Sequence, residues 1–207
     1  MNKDILICGV GGQGTVLASK LIASAAMAEG NTVHSAETIG MAQRGGSVTS
    51  HCRIGDHAFS PLIPEGKADI ILAFEPAEAV RNLKYLKEDG LVIVNTQAVK
   101  PITETLENTG YDGTDMIEYL KSKCKVCIAV DSEEVCAPLG SSKFFNIAIL
   151  GVVAGSGHLG IKDTSIIHEI ETKVKERFIE VNKKAFAVGL QIGKQNAAYS
   201  KTIRVSR

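Results

Sequence analysis

The sequence predicts one α/β domain over residues 1–207: a three-layer α/β/α fold with a mixed, mostly parallel sheet and a helical C-terminal region. Three observations carry this. Short, continuously apolar runs such as Ile5–Cys8 and Ala68–Phe74 lack a polar alternate face, as parallel strands do when helices cover both sides. Runs of this kind alternate with helical patterns over the first ~130 residues. Beyond them Ile167, Ile170, Val174, Phe178, Val181, Ala185, Val188 and Ile192 recur at spacings of three and four, a long amphipathic helical region with a break expected near Asn182.

The elements follow in order. Asp4–Cys8 is a first buried strand. Gln13–Glu29 is a helix whose inner stripe is Leu17, Leu21, Ala25 and Ala28, widened by Ala18 and Ile22, with Ser19, Lys20 and Ala23 outward. Gly30 stands at its C′ position, and Asn31–Glu37 forms a second strand that completes a βαβ unit. Ser47–Ile54 alternates, with Val48, Ser50, Cys52 and Ile54 on one side, and Ala58–Ser60 is expected to return as a hairpin strand. Pro61 and Pro64 mark a loop. Ala68–Phe74 is a strand, and Pro76 opens a helix carrying Ala79, Leu83 and Leu86 on one face. Gly90 is expected to stop that helix before a strand at Leu91–Asn95. After a polar loop at Asn108–Asp115 come a short helix, Asp115–Lys121, and a strand, Val126–Val130. Asp131-Ser132 then caps a brief helix through Cys136, and Phe145–Ala154 is apolar on most sides, so a buried helix.

Composition narrows the function. Twenty-three basic residues balance twenty-three acidic ones, tryptophan is absent and aromatics make up 5%, so neither a basic field nor stacking platforms favour nucleic acid. No window reaches the ~18 apolar residues of a bilayer span, and no signal peptide is evident, which makes a cytoplasmic location the expectation. Five scattered cysteines, Cys8, Cys52, Cys124, Cys127 and Cys136, suit a reducing compartment. Cys124 and Cys127 form a C-x-x-C, but residues three apart on a strand face opposite sides, which argues against joint ligation unless Cys124 lies in the preceding turn. Spacing of the H-x-x-x-H kind is lacking, so His34 and His51 read as core or surface imidazoles, and His57, His158 and His168 suggest nothing.

The segment Ile5–Thr15, ILICGVGGQGT, drives an apolar strand into four glycines and a helix. Gly9, Gly11 and Gly14 satisfy G-x-G-x-x-G, and such a turn presents free N–H groups and a helix dipole to an anion. Two readings stay open here, an anion cradle and a turn whose glycines serve only tight packing. Glu37, at the end of the second strand, stands where a dinucleotide-binding protein would hold ribose hydroxyls, or is an ordinary acidic residue at a strand end.

Taken with Gly40-Met-Ala-Gln-Arg-Gly-Gly46, Ser50-His-Cys-Arg53, Ser60-Pro-Leu-Ile-Pro64, Ala68–Pro76, Gly90–Asn95 and Asn146–Gly151, that turn resembles the gamma-type subunit of 2-oxoacid:ferredoxin oxidoreductases. Within that group the pattern is most similar to the beta subunit of the indolepyruvate enzymes, from Ile5 to about Gly193. The resemblance implies oxidative decarboxylation of a 2-oxoacid to an acyl-CoA, with electrons passed to ferredoxin. It implies a larger alpha subunit carrying thiamine diphosphate, magnesium and 4Fe-4S clusters. This chain lacks a C-x₂-C-x₂-C-x₃-C run, and its Asp112-Gly113 has no following asparagines of the thiamine motif. It is therefore expected to be the non-cofactor subunit, inactive alone, holding no cofactor tightly and forming a homodimer when isolated.

Coenzyme A is the ligand that the resemblance offers the glycine turn, with Gly11, Gly12, Gln13, Gly14 and Thr15 as contacts; a segment of the partner is the alternative. Arg44, flanked by Gly45 and Gly46, can present a rigid fork to a carboxylate or phosphate and is the candidate catalytic residue. Arg53 is a weaker case of the same kind. No metal site is expected. Alternative functions are a stand-alone NAD(P)-binding oxidoreductase built on the turn and Glu37, or a subunit acting on pyruvate, 2-oxoisovalerate or 2-oxoglutarate.

Overall fold

A six-stranded sheet forms the middle layer of the molecule. The computed structural model describes residues 1–39, 45–56, 58–100 and 110–205. The strands are β1 (Lys3–Val10), β2 (Val33–Ile39), β3 (Ser47–Ile54), β4 (Ala68–Ala73), β5 (Leu86–Asn95) and β6 (Val126–Val130), in the order β2-β3-β1-β4-β5-β6. Only β3 runs against its neighbours, pairing antiparallel with both β1 and β2, whereas β1, β4, β5 and β6 pair in parallel. The helices are α1 (Thr15–Ala28), α2 (Pro76–Asn82), α3 (Thr114–Lys123), α4 (Ser132–Cys136), α5 (Phe145–Gly155), α6 (Asp163–Lys173) and α7 (Ile179–Val205).

The insertion of β3 corrects two expectations. Residues 31–37 do not complete an adjacent βαβ unit, because β3 lies between β1 and β2. Ala58–Ser60 forms no return strand either: both edges of β3 are already hydrogen-bonded, so no ladder is left for it to join.

On one face Ile5, Ile7, Cys52, Ile54, Ile70 and Leu72 pack under α1, α5, α6 and α7; on the other, Leu6, Cys8, Ile71 and Val92 pack under α2 and α3. The alternation of β strand side chains thus supplies two cores from one set of residues. The face of β3 carrying His51 and Arg53 is buried as well, under the loop at residues 58–64.

Helix α1 is buried more widely than its stripe predicts. Ser19 and Ala23 are inside, Leu17 is only half-buried and Ala28 is exposed. Helix α6 lies along it: Glu29 Oε1 accepts from Lys162 N at 2.8 Å and Ser165 Oγ at 2.7 Å, and Lys173 Nζ donates to Ser24 Oγ. The helix ends in a Schellman turn, with Asn31 N donating to Ala26 O at 3.1 Å, Gly30 N to Met27 O at 2.9 Å, and Gly30 at φ 82°.

Around β5 the boundaries differ from expectation. Helix α2 stops at Asn82, a 3₁₀ turn holds Leu83–Tyr85, and β5 already starts at Leu86. Its register jumps from Ala68↔Leu86 to Ile70↔Leu91. Gly90 therefore sits inside the strand, folded back on Leu86, where a Cβ would lie 2.6 Å from Leu86 Cδ1 and 3.1 Å from Ala68 O.

The C-terminal region breaks before residue 179, between α6 and α7, and Asn182 lies buried within α7, its amide donating to Phe178 O at 2.8 Å. Helix α5 is buried from Phe145 through Val153, as its all-round apolar surface predicts. It meets α7 through glycines: a Cβ at Gly151 would lie 2.7 Å from Leu190 N, and one at Gly193 2.8 Å from Ser156 N, so the two backbones touch without side chains between them. Among the described residues no single helix is long and apolar enough to cross a membrane.

Candidate functional site

The parallel strands β1, β4 and β5 end together, and the loops that follow surround a cleft of about 540 Å³ lined by Gly12, Gly14, Asn95, Val99, Lys143 and Asn146 among others. Ligands of open α/β sheets bind at this end of the strands. The three turn glycines play different parts. At Gly9 a Cβ would lie 2.7 Å from Gln13 Oε1 and 2.8 Å from Phe74 Cβ, and at Gly14 it would lie 2.6 Å from Asn146 Nδ2, so both are required by close approach. Gly12 has φ 102° with open space before it. Packing thus accounts for Gly9 and Gly14 and leaves the Gly12 face free to meet a ligand.

The Gln13 amide is already engaged. Its Oε1 accepts from Val10 N at 2.8 Å and its Nε2 donates to Phe74 O at 3.0 Å, stapling the turn to β4. Thr15 is buried behind the turn. The first helical hydrogen bond of α1 is Ala18 N to Gly14 O at 3.1 Å, and Gly14 supplies no side-chain cap, so the N–H groups of the first turn are available at the cleft.

Gly45 and Gly46, the end of the second glycine motif, dock on the first. Gly11 N donates to Gly46 O at 2.8 Å and Gly45 N to Gly11 O at 3.4 Å. Ser47 Oγ donates to the buried Glu78 Oε2 at 2.7 Å, fixing the start of β3 beside the turn. Arg44 lies outside the described residues, as does His57.

Sequence reasoning gave no separate role to Asn95, Asn146 and Lys143, which the fold brings to the cleft. Asn95 Nδ2 donates to Phe74 O at 3.1 Å while its Oδ1 accepts from Gln97 N and Ser132 N, each at 3.2 Å, tying three strand ends together. Asp131 caps α4 by accepting from Glu133 N at 2.8 Å and Glu134 N at 3.1 Å. Burial pushes its carboxyl up, but these donors and the Gln97 amide outweigh that and hold it below its ordinary value. Asn146 is 9% exposed, lines the cleft and has no hydrogen-bond partner among the described residues. Lys143 is exposed at the lip. A polar residue ending the apolar run Leu91–Val94 was the one local signal that could have singled out Asn95.

Other candidates are corrected by their surroundings. Arg53 is not a free fork: Nε lies 2.9 Å from Asp4 Oδ1 and Nη2 3.2 Å from Oδ2, while Nη1 donates to Ser60 O at 3.1 Å and Leu62 O at 3.3 Å. His51 is a buried imidazole whose Nδ1 accepts from Ile63 N at 3.1 Å; burial and then the Arg53 charge hold its pKa down. Glu37 is exposed on the edge strand, two strands from β1, and that second spacing moves it roughly 5 Å farther from the turn than a dinucleotide site allows.

Cys124 lies in the turn before β6, so the opposite-face expectation does not apply, and both it and Cys127 pack on the α2/α3 side. Burial raises both thiols, Cys127 to about 11. Cys52 and Cys136 belong to the core across the sheet, so the described cysteines do not converge as an iron–sulfur cluster requires. Among the described residues no group of three or more His, Cys, Asp or Glu is placed to hold a metal.

A mixed sheet with helices on both faces and an uncapped glycine turn at the ends of its parallel strands defines an open α/β protein of the ligand-binding kind. The family model described as "Pyruvate ferredoxin/flavodoxin oxidoreductase" matches residues 4–192, and the chain belongs to that family. It is 40% identical over 190 residues to the Archaeoglobus fulgidus "Indolepyruvate oxidoreductase subunit IorB", covering 91% of this chain and 94% of that one. It is 32% identical over 177 residues to the Pyrococcus abyssi "Pyruvate/ketoisovalerate oxidoreductases common subunit gamma", covering 84% and 86%. The fold also matches the 2-oxoglutarate:ferredoxin oxidoreductase from Magnetococcus marinus, solved with 2-oxoglutarate, coenzyme A and succinyl-CoA bound, with a TM-score of 0.70 at 17% identity. That match covers 94% of this chain and 31% of that one. The chain is a subunit of a 2-oxoacid:ferredoxin oxidoreductase, as the family and its subunit relatives show.

Proposed function

We propose that this chain is the non-cofactor subunit of a cytoplasmic indolepyruvate ferredoxin oxidoreductase and that its cleft holds the phosphate-bearing part of coenzyme A. The substrate assignment follows the relatives named for indolepyruvate, 33–40% identical to this chain, against 29–32% for those named for pyruvate and ketoisovalerate. The larger subunit would hold thiamine diphosphate, magnesium and the clusters, which would supply the decarboxylation and electron-transfer chemistry. This chain binds and orients the acyl acceptor.

The observation that carries the ligand assignment is the convergence at one cleft of the uncapped first turn of α1, the Lys143 ammonium and the unpartnered Asn146 amide. Helix N–H groups and a cation suit a phosphate, and an amide supplies a directed donor. In the complex reconstituted with its larger subunit, Lys143→Ala and Gly12→Leu are expected to raise the KM for coenzyme A about tenfold, with activity on indolepyruvate exceeding that on pyruvate or 2-oxoglutarate. Unchanged KM values in both variants would overturn the ligand assignment, and activity confined to the other two acids would overturn the substrate. Titration with NADH and NADPH is expected to show no binding, since Glu37 stands away from the turn.

A further inference from the structure

The carboxylate of Glu75 is 2% exposed, lies outside the cleft lining, and serves more groups than a helix cap needs. As N-cap of α2 its Oε2 accepts from Glu78 N at 3.0 Å. Its Oε1 accepts from the Tyr111 hydroxyl, which in turn accepts from Ala77 N at 3.2 Å. The backbone N–H of Val99 is near enough to favour its ionised form. Val99 and Ala98 form one wall of the cleft. Gly113 closes the arrangement from behind: a Cβ there would lie 2.9 Å from Pro76 Cγ and 3.2 Å from Ala98 Cβ. One carboxylate thus ties the start of α2 to the chain at Tyr111, beside the cleft wall at Val99. Burial raises its pKa against the pull of these donors, a cost that the capping role alone does not explain.

We propose that Glu75 is a positioning residue: with Tyr111 it sets the Ala98–Val99 wall so that the cleft fits coenzyme A. This rests on the cleft being the coenzyme A site. A glutamine weakens the clamp, because its N–H₂ would face either the Glu78 N–H or the Tyr111 hydroxyl, which then loses the acceptor of its own proton. A wall displaced by a fraction of an ångström weakens binding in the cleft while leaving the chemistry on the larger subunit intact.

The test uses the assembled complex, with coenzyme A as the varied substrate. Glu75→Gln and Tyr111→Phe are each expected to raise KM for coenzyme A about fivefold with kcat changed less than about twofold. The double variant is expected to be no worse than Glu75→Gln, since both break one clamp. Ile166→Val, a core truncation under the opposite face, serves as a stability control and is expected to lower the melting temperature without moving KM. If Lys143→Ala raises KM and neither clamp variant does, the positioning role is overturned and the ligand assignment stands. If Lys143→Ala and Gly12→Leu also leave KM unchanged, both fall. Should Glu75→Gln fail to fold, Tyr111→Phe decides alone, by the same criterion.

Discussion

Replacing Gly189 by alanine tests whether backbone contact between α5 and α7 holds this fold together. By helix propensity the change should stabilise α7 by about 1 kcal/mol. The structure gives the opposite sign. A Cβ at Gly189 would run into the Ala148 carbonyl, 2.8 Å from its carbon and 3.0 Å from Val152 N. These are backbone atoms of a helix buried on all sides, so no rotamer change relieves the clash. The helices must separate by about 1 Å, and a gap of that size forfeits a quarter to a half of the dispersion along the contact. Overpacking of this kind costs about 1–3 kcal/mol, and the same gap is repeated at Gly151, Gly155 and Gly193 along the seam. With backbone atoms on both sides of the contact the cost lies at the upper end of that range, about 3 kcal/mol, so a net loss of about 2 kcal/mol is expected after the propensity gain, or roughly 4–8 °C in Tm for a chain of this size. Urea and thermal unfolding of the purified chain followed by circular dichroism measures it. Ala187→Gly, at an exposed site on the same helix, is expected to lose about 1 kcal/mol through propensity alone. A Gly189→Ala chain as stable as the parent, or more so, would refute the argument.

Arg53→Ala is expected to cost about 3–5 kcal/mol, because it strips a buried carboxylate of its bidentate partner and frees the carbonyls of Ser60 and Leu62; Arg53→Lys recovers the charge but not the fork. Urea unfolding and the rate of proteolysis within residues 58–64 report both effects, and a loss below about 1 kcal/mol contradicts the stapling role. His51 makes stability fall on the acid side. Its folded pKa lies below 6.5, so between that value and 6.5 the unfolded chain takes up a proton that the native imidazole refuses, and stability drops as pH falls through this window. Protonated Nδ1 can no longer accept from Ile63 N. His51→Phe is expected to flatten the stability difference between about pH 7.5 and 5.5, and an unchanged slope assigns the acid sensitivity elsewhere.

Local sequence patterns were enough for most elements. Apolar runs without alternation located β1, β4 and β6; Glu75-Pro76 and Asp131-Ser132 marked helix starts whose caps the structure displays. Such signals are short-range, set by the side chains that a residue and its near neighbours must bury or pair. Where long-range pairing decided, the reading missed: the place of β3, the fate of Ala58–Ser60, and the glycine within β5. The stripe of helix α1 differs for the same reason, since a helix that packs along it begins at residue 163.

The candidate site divides likewise. Gly9–Gly14 was legible because a strand-to-helix turn must be glycine-rich to approach its neighbours, and the family resemblance rested on motifs that are contiguous in the chain. Sequence alone could not separate an anion cradle from a packing turn. Tertiary structure decided that Gly9 and Gly14 are needed for packing, that Gly12 faces an open cleft, and that Gln13, Arg53 and His51 spend their polar atoms holding loops. It also brought Asn95 to one cleft with Lys143 and Asn146, which lie far along the chain from it. Hydrogen-bond partners and free volume are properties of the folded arrangement, whereas the need for an apolar strand or a capped helix is written into each segment.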